Sequence, residues 1–207
     1  MVGCGVLLLG GIAATILAAY GMFFAMNRAV EAYLSPQRRP FTAVGLAPEA
    51  IADARGRAKA FIAAVEKQET PPALLLSDAE VNALLADFAA DHGIEIPARV
   101  SFAGDKIHAE LSVPLRGMYL NGSGDLDIGL NKGVLQIFIN QLEVNGKTPP
   151  KTLMELARQH NLAGPVLDDP EVKRILGELQ YVTITNGKLK ITPRTAGEPQ
   201  GENTNGH

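Results

Sequence analysis

Lys106-Ile107-His108-Ala109-Glu110-Leu111-Ser112-Val113 alternates polar and apolar side chains without a break, and its reading decides the fold. Successive side chains on a strand point to opposite faces, so Ile107, Ala109, Leu111 and Val113 form a core face and Lys106, His108, Glu110 and Ser112 a wet one. Upstream, Gly104-Asp105 turns this strand into another over Arg99 to Ala103. Downstream, Leu120 to Leu130 repeats the alternation, with Leu126, Ile128 and Leu130 set against Asn121, Ser123, Asp125 and Asp127. Gly122, Gly124 and Gly129 permit bending or bulges there, so the sheet should curve. Asn131-Lys132-Gly133 leads into Val134 to Val144. Its apolar residues Leu135, Ile137 and Ile139, then Leu142 and Val144, fall on both faces, as in a central or bulged strand, one open to cover on both sides.

Helices flank the strands. Pro48 opens about twenty residues in which Ile51, Ala58, Phe61, Ile62 and Val65 share one face, and Thr70-Pro71-Pro72 ends the run. Behind Leu74, Leu75 and Leu76, Ser77 and Glu80 form a capping box for a second helix with an apolar stripe of Val81, Leu84, Leu85 and Phe88, closed by Gly93. Thr148-Pro149-Pro150 reads as a cap and first turn for a helix over Lys151 to His160, with Leu153, Leu156 and Ala157 inward. Asp169-Pro170 starts a further helix with Val172, Ile175 and Leu176. Tyr181 to Thr185 and Lys188 to Thr192 then form a hairpin across Asn186-Gly187, the residue pair that most favours a two-residue turn. The fold class is α+β, a curved antiparallel sheet packed on helices.

The other decisive stretch is Val2 to Met26, twenty-five residues without a charged side chain. As a helix it would reach roughly 38 Å, enough for a hydrocarbon core of about 30 Å. Its apolar run exceeds that of a signal peptide and lacks a small-x-small cleavage site, so it reads as an uncleaved anchor. Gly10, Ala14 and Ala18 recur at four-residue spacing, a pattern compatible with close helix approach or with plain lipid contact. The expected organisation is an anchor over 1–27, a linker over 28–47, a domain over 48–193 and a disordered polar tail over 194–207. Arg28, Arg38 and Arg39 follow the span, so a positive-inside count puts the domain in the cytoplasm.

Composition excludes several classes of function. A net charge of −3 with no basic run beyond Arg38-Arg39 disfavours nucleic acid as a partner. The one cysteine, Cys4, lies in the apolar run, so the domain can build neither a disulfide nor a thiolate metal site. His92 beside Asp91 and His160 in a last helical turn suit the helix dipole, and His108 belongs to a wet strand face. Asp125 and Asp127 share a side of one strand but lack the further oxygens that calcium requires. No phosphate loop, nucleophile elbow or metalloprotease motif occurs. The reading is therefore of a protein that is not an enzyme, with no metal and no cofactor.

The order of parts resembles the YpmS-like family of bacterial single-pass membrane proteins and, more distantly, the tubular lipid-binding (TULIP-like) domains. The resemblance is carried by the N-terminal span, by Leu76-Ser77-Asp78-Ala79-Glu80-Val81-Asn82-Ala83-Leu84-Leu85, by Gly133 to Ile139 running through Val144-Asn145-Gly146 to Pro149-Pro150, and by the closing hairpin. It implies an extracytoplasmic domain at the cell membrane, against the positive-inside count, whose curved sheet holds lipid. On that basis the expected function is non-catalytic binding of membrane lipid or another apolar ligand, with Leu84, Leu85, Phe88, Leu111, Ile137 and Ile139 as the wall. The same apolar pattern also describes a closed core. The alternative is thus a membrane-tethered interaction or scaffolding module with a closed core for a protein partner, working through the wet face of Lys106, His108 and Glu110 or through the Gly10/Ala14/Ala18 helix face.

Overall fold

The computed structural model describes residues 33–41, 45–91 and 97–195. The expected anchor, Cys4, the Gly10/Ala14/Ala18 face, Arg28, His92, Gly93 and the tail from residue 196 onward lie outside the described residues. Among the described residues no helix is long and apolar enough to cross a membrane.

The chain runs α1 (Pro48–Glu66), β1 (Leu74–Ser77), α2 (Asp78–Asp91), β2 (Ala98–Ala103), β3 (Lys106–Leu115), β4 (Met118–Asn131), β5 (Val134–Val144), α3 (Lys151–Gln159), α4 (Gly164–Leu167), α5 (Pro170–Gly177), β6 (Leu179–Thr185) and β7 (Lys188–Pro193). This is an α+β fold with two antiparallel sheets where the alternation pointed to one. The larger is the meander β2-β3-β4-β5, and the smaller has the order β1-β7-β6. They meet where β6 lies against β4, and Leu120, Leu179 and Val182 are fully buried.

Local signals formed as expected. Ser77 N donates to Glu80 Oε2 at 2.7 Å and Glu80 N to Ser77 Oγ at 3.3 Å, so the capping box is closed in both directions. Arg57 of α1 reaches across to Glu80 and donates to Leu75 O at 2.8 Å, which ties the first two helices to β1. Burial opposes ionisation of the Glu80 carboxyl, but hydrogen bonds from Ser77 and the guanidinium of Arg57 outweigh it and hold the carboxyl below its ordinary range. Asp169 caps α5 through Glu171 N at 2.8 Å and Val172 N at 3.3 Å. Asn186 and Gly187 turn the last hairpin with φ of 52° and 67°, both left-handed, as a type I′ turn requires.

Four expectations need correction, each for a long-range reason. The run Leu74 to Ser77, to which its sequence gives no strand signature, is a strand because β7 supplies its partner, Leu74 facing Ile191 and Ser77 facing Lys188. β5 is the edge strand of the main sheet and not a central one, and it is bulged, the other alternative that its apolar pattern offered. Leu126 faces Ile139 while Asp125 faces Gln141, so Asn140 is an extra residue, and this bulge resets the inward phase from Leu135, Ile137 and Ile139 to Val144. The helix after Thr148 begins at Lys151 without any side-chain cap, and its buried residue is Met154, whereas Leu156 is 48% exposed.

The fourth correction concerns the wet face of the main sheet. Ser112 and Asn121 sit on it in sequence yet are buried, because residues 35–39, within the stretch expected as linker, lie across them. Ser35 forms an antiparallel bridge with Tyr119, its N–H donating to Tyr119 O at 2.8 Å and its C=O accepting from Tyr119 N at 2.7 Å. Asn121 then accepts from Arg39 N at 3.0 Å and from the Ser112 hydroxyl at 2.7 Å, and donates to Gln37 O at 3.0 Å. Arg39 completes the strap with an ion pair to Glu110 at 2.8 Å. Every polar group of the Asn121 amide is thereby engaged, which makes its burial tolerable.

Candidate functional site

The apolar residues expected to wall a lipid groove come from α2, β3 and β5, three elements that are not direct neighbours but whose buried side chains join one core. Leu84 is 8% exposed, Leu85 6%, Leu111 4%, Ile137 1% and Ile139 5%, and all five belong to one continuous core with both sheets and the helices. Phe88 is half-buried at the end of the same α2 stripe.

A concave site lies elsewhere, between the last part of β5 and α3. It encloses about 540 Å³ and is lined by Gln141, Leu142 and Glu143 of β5, by Thr148 and Pro149, and by Lys151, Met154, Glu155 and Arg158 of α3. That volume lies within the range of ligand clefts, about 300–1,000 Å³. None of the six expected wall residues takes part in it. Lys151, Glu155 and Arg158 recur at helical spacing, so one face of α3 presents all three, with buried Met154 as an apolar floor.

The outer edge of β5 explains how the cleft arises. Toward its start the edge is closed by Asn161, whose Oδ1 accepts from Ile137 N at 2.9 Å and whose Nδ2 donates to Leu135 O at 2.9 Å, and Leu162 N adds a bond to Ile137 O at 2.9 Å. At the bulge, Arg158 donates through Nε and Nη2 to Asn140 O at 3.1 and 3.0 Å. Beyond Leu142, Val144 N turns outward to Lys147 O at 2.9 Å, whereas Asn145 N donates back to Asn121 O at 2.7 Å. Backbone groups on an antiparallel strand alternate between facing the neighbour and facing away. Two residues before Val144, the N–H and C=O of Leu142 therefore face outward into the cleft. The result is a short open stretch of strand edge between two closed ones, rimmed by a lysine, an arginine and two glutamates. Among the described residues Lys151, Glu143 and Glu155 make no ion pair with one another.

His108, Asp125 and Asp127 have structural partners. His108 Nδ1 lies 2.8 Å from Asp125 Oδ1 on the half-exposed face, Asp127 accepts from the Asn140 amide, and Glu110 holds Arg39. Among the described residues no three His, Cys, Asp or Glu side chains gather in a metal-binding group. Sequence reasoning missed Arg158 and Asn161. The Lys151/Glu155/Arg158 spacing was readable, but an asparagine just after a helix looks like any loop residue until the strand it serves is known.

Comparison of the chain with protein-family models, with curated proteins and with solved structures returned no match.

Proposed function

We propose that the chain is a non-catalytic, membrane-tethered binding protein whose domain keeps a sealed apolar core and takes up an extended segment of a protein partner at the β5–α3 cleft. The observation that carries this reading is the separation of the two features. The apolar residues that a lipid groove would need are at most 8% exposed for five of the six, while a concavity among the described residues is polar-rimmed and sits at an open strand edge. An extended peptide can satisfy the outward N–H and C=O of Leu142, and Lys151, beside the Nη1 side of Arg158 that its bonds to Asn140 O leave over, suits a carboxylate on the same peptide. The tether is the apolar run of residues 2–26.

The test uses the full chain in detergent. Native mass spectrometry should find it free of lipid once detergent is stripped, and a photo-crosslinking residue at Lys151 should capture a partner that the same residue at Lys106 does not. A lipid retained one to one through stripping, lost on Leu85→Ala, would overturn the sealed-core reading in favour of a groove.

A further inference from the structure

Both edges of the main sheet are closed in part by a single asparagine acting as a strand would. On β2, Asn82 of α2 accepts from Val100 N at 2.8 Å and donates to Val100 O at 2.6 Å. On β5, Asn161 divides the same two bonds between Ile137 N and Leu135 O. One donor and one acceptor are thus enough to satisfy outward-facing backbone groups. Leu142 presents one outward N–H and one outward C=O, and among the described residues no side chain or backbone group outside the sheet bonds to them.

The sequence explains why this pair stays open. Asn145 and Gly146, with φ of 50° and 70°, reverse the chain so that Lys147 stands opposite Val144 and exchanges bonds of 2.9 and 3.1 Å with it. Continued residue by residue, the hairpin would set Thr148 opposite Glu143 and Pro149 opposite Leu142. Proline has no N–H to give to Leu142 O, and Pro149-Pro150 lead instead into α3, so the ladder stops one pair short. In the other direction Arg158 occupies Asn140 O. The open edge is therefore one residue long and stopped at both ends.

That length decides what fits. In an antiparallel pair a single residue exchanges both bonds with the one opposite, donating its N–H to Leu142 O and accepting from Leu142 N. Such an occupant runs opposite to β5, from the exposed Thr148 side toward Asn140 and Arg158. A chain continuing past this residue would meet Arg158. A chain ending there gives Leu142 N a carboxylate oxygen and turns the other oxygen toward the part of the Arg158 guanidinium not spent on Asn140. An amino end would lie beside Glu143, but its chain would then run on into Arg158. Paired residues on neighbouring strands point the same way, so the terminal side chain lies with that of Leu142, which packs on the core, and meets Met154 across the cleft.

We infer that the cleft recognises the free carboxyl-terminal residue of its partner, an apolar one, and not an internal stretch. The inference rests on the reading of the β5–α3 cleft as a site for an extended segment, and it names the part of that segment which is bound.

The test is a titration of the isotope-labelled full chain in detergent micelles, read by nuclear magnetic resonance at the Leu142 amide. The probes are N-acetyl-alanyl-leucine, its carboxamide, and alanyl-leucinamide, which has a free amino end and a blocked carboxyl end. The acid should shift the Leu142 resonance saturably with a Kd on the order of 1 mM, and the carboxamide should bind about tenfold more weakly, as loss of one charge-assisted bond implies. Arg158→Gln keeps a donor for Asn140 O and removes the charge, so it should bring the acid down to the level of the carboxamide. Should that variant disturb the rest of the spectrum, the comparison of acid with carboxamide on wild type decides alone. Equal binding of the two, a preference for alanyl-leucinamide, or no shift at Leu142 with any probe overturns the inference. If a crosslinker at Lys151 then still captures a partner, the cleft reading survives; if it captures none, both fall.

Discussion

Asn161→Ala should destabilise the domain by about 3 kcal/mol, a large part of the roughly 5–15 kcal/mol that holds an ordinary domain folded. The side-chain amide makes three bonds, donating to Leu135 O at 2.9 Å and accepting from Ile137 N at 2.9 Å and Ala163 N at 3.1 Å. At a net ~1 kcal/mol for each, their loss accounts for about 3 kcal/mol. Leu135 and Ile137 are each 1% exposed, so backbone groups stripped of their partner are poorly placed to recruit water, and the penalty for leaving them unpaired pushes the cost upward toward ~5 kcal/mol. Asn161→Asp keeps the acceptor and loses the donor, and should cost about half as much. Urea unfolding of the full chain in detergent, followed by circular dichroism, gives the energies, and hydrogen exchange at the Ile137 amide gives the location. A loss below ~0.5 kcal/mol with unchanged exchange at Ile137 would refute the reasoning, because the edge would then be closed by something other than Asn161.

Two glycines should respond in opposite directions. Gly56 lies on the exposed face of α1 with nothing within 4 Å of an added Cβ, so Gly56→Ala should stabilise by up to ~1 kcal/mol, whereas at Gly124 an added Cβ would sit 2.5 Å from Gln141 O, and Gly124→Ala should cost about 1–3 kcal/mol by forcing β4 and β5 apart beside the bulge; unfolding midpoints measure both. Because the folded state holds the Glu80 carboxyl below its ordinary value near 4.5, it binds that proton less readily than the unfolded chain does. The stabilisation is therefore complete above that value and is lost as pH falls through the lower folded one, so the stability advantage of wild type over Glu80→Gln should shrink on acidification below about pH 4.5 in unfolding series taken from pH 7 downward. A fragment beginning at Pro48 loses the strap and should melt at a lower temperature than one beginning at Tyr33, with faster amide exchange at Tyr119; equal melting would refute the strap's structural role.

The parts of the fold legible in the sequence are those whose cause is local. The Ser77/Glu80 box, the Asp169 cap and the Asn186-Gly187 turn each depend on residues within four positions of one another, and each formed as read. The β3 and β4 alternation was equally legible, because one buried face imposes a period of two wherever the strand lies. What failed to show depended on distance. β1 is a strand only because β7, more than a hundred residues later, pairs with it. Ser112 and Asn121 follow the wet phase of their strands and are buried only because the strap crosses them. Burial of Leu85 or Ile137 was foreseeable, but an apolar stripe reads the same whether it lines a groove or fills a core, so the pattern could not separate the two functions. The bulge at Asn140 on which the cleft depends was legible as one of two alternatives, from the apolar shift between Ile139 and Leu142, but the cleft that it opens beside α3 was not.

The strap also sets the route by which force would travel through the molecule. Tension applied ahead of Tyr33 enters the domain at the Tyr33 carbonyl, which the Asn145 amide holds, then at the Ser35–Tyr119 bridge and the Asn121 amide, and reaches α1 only after these have given way. The Ser35 bridge lies at the extremity of β4, where backbone bonds are loaded one pair after another instead of all together. Under a pull on the chain ahead of Tyr33 the strap would peel while both sheets stayed whole, baring the hydroxyl of Ser112 and the amide of Asn121 to water. The strap thus acts as a mechanical fuse, and the element that yields first is the one that covers Ser112 and Asn121.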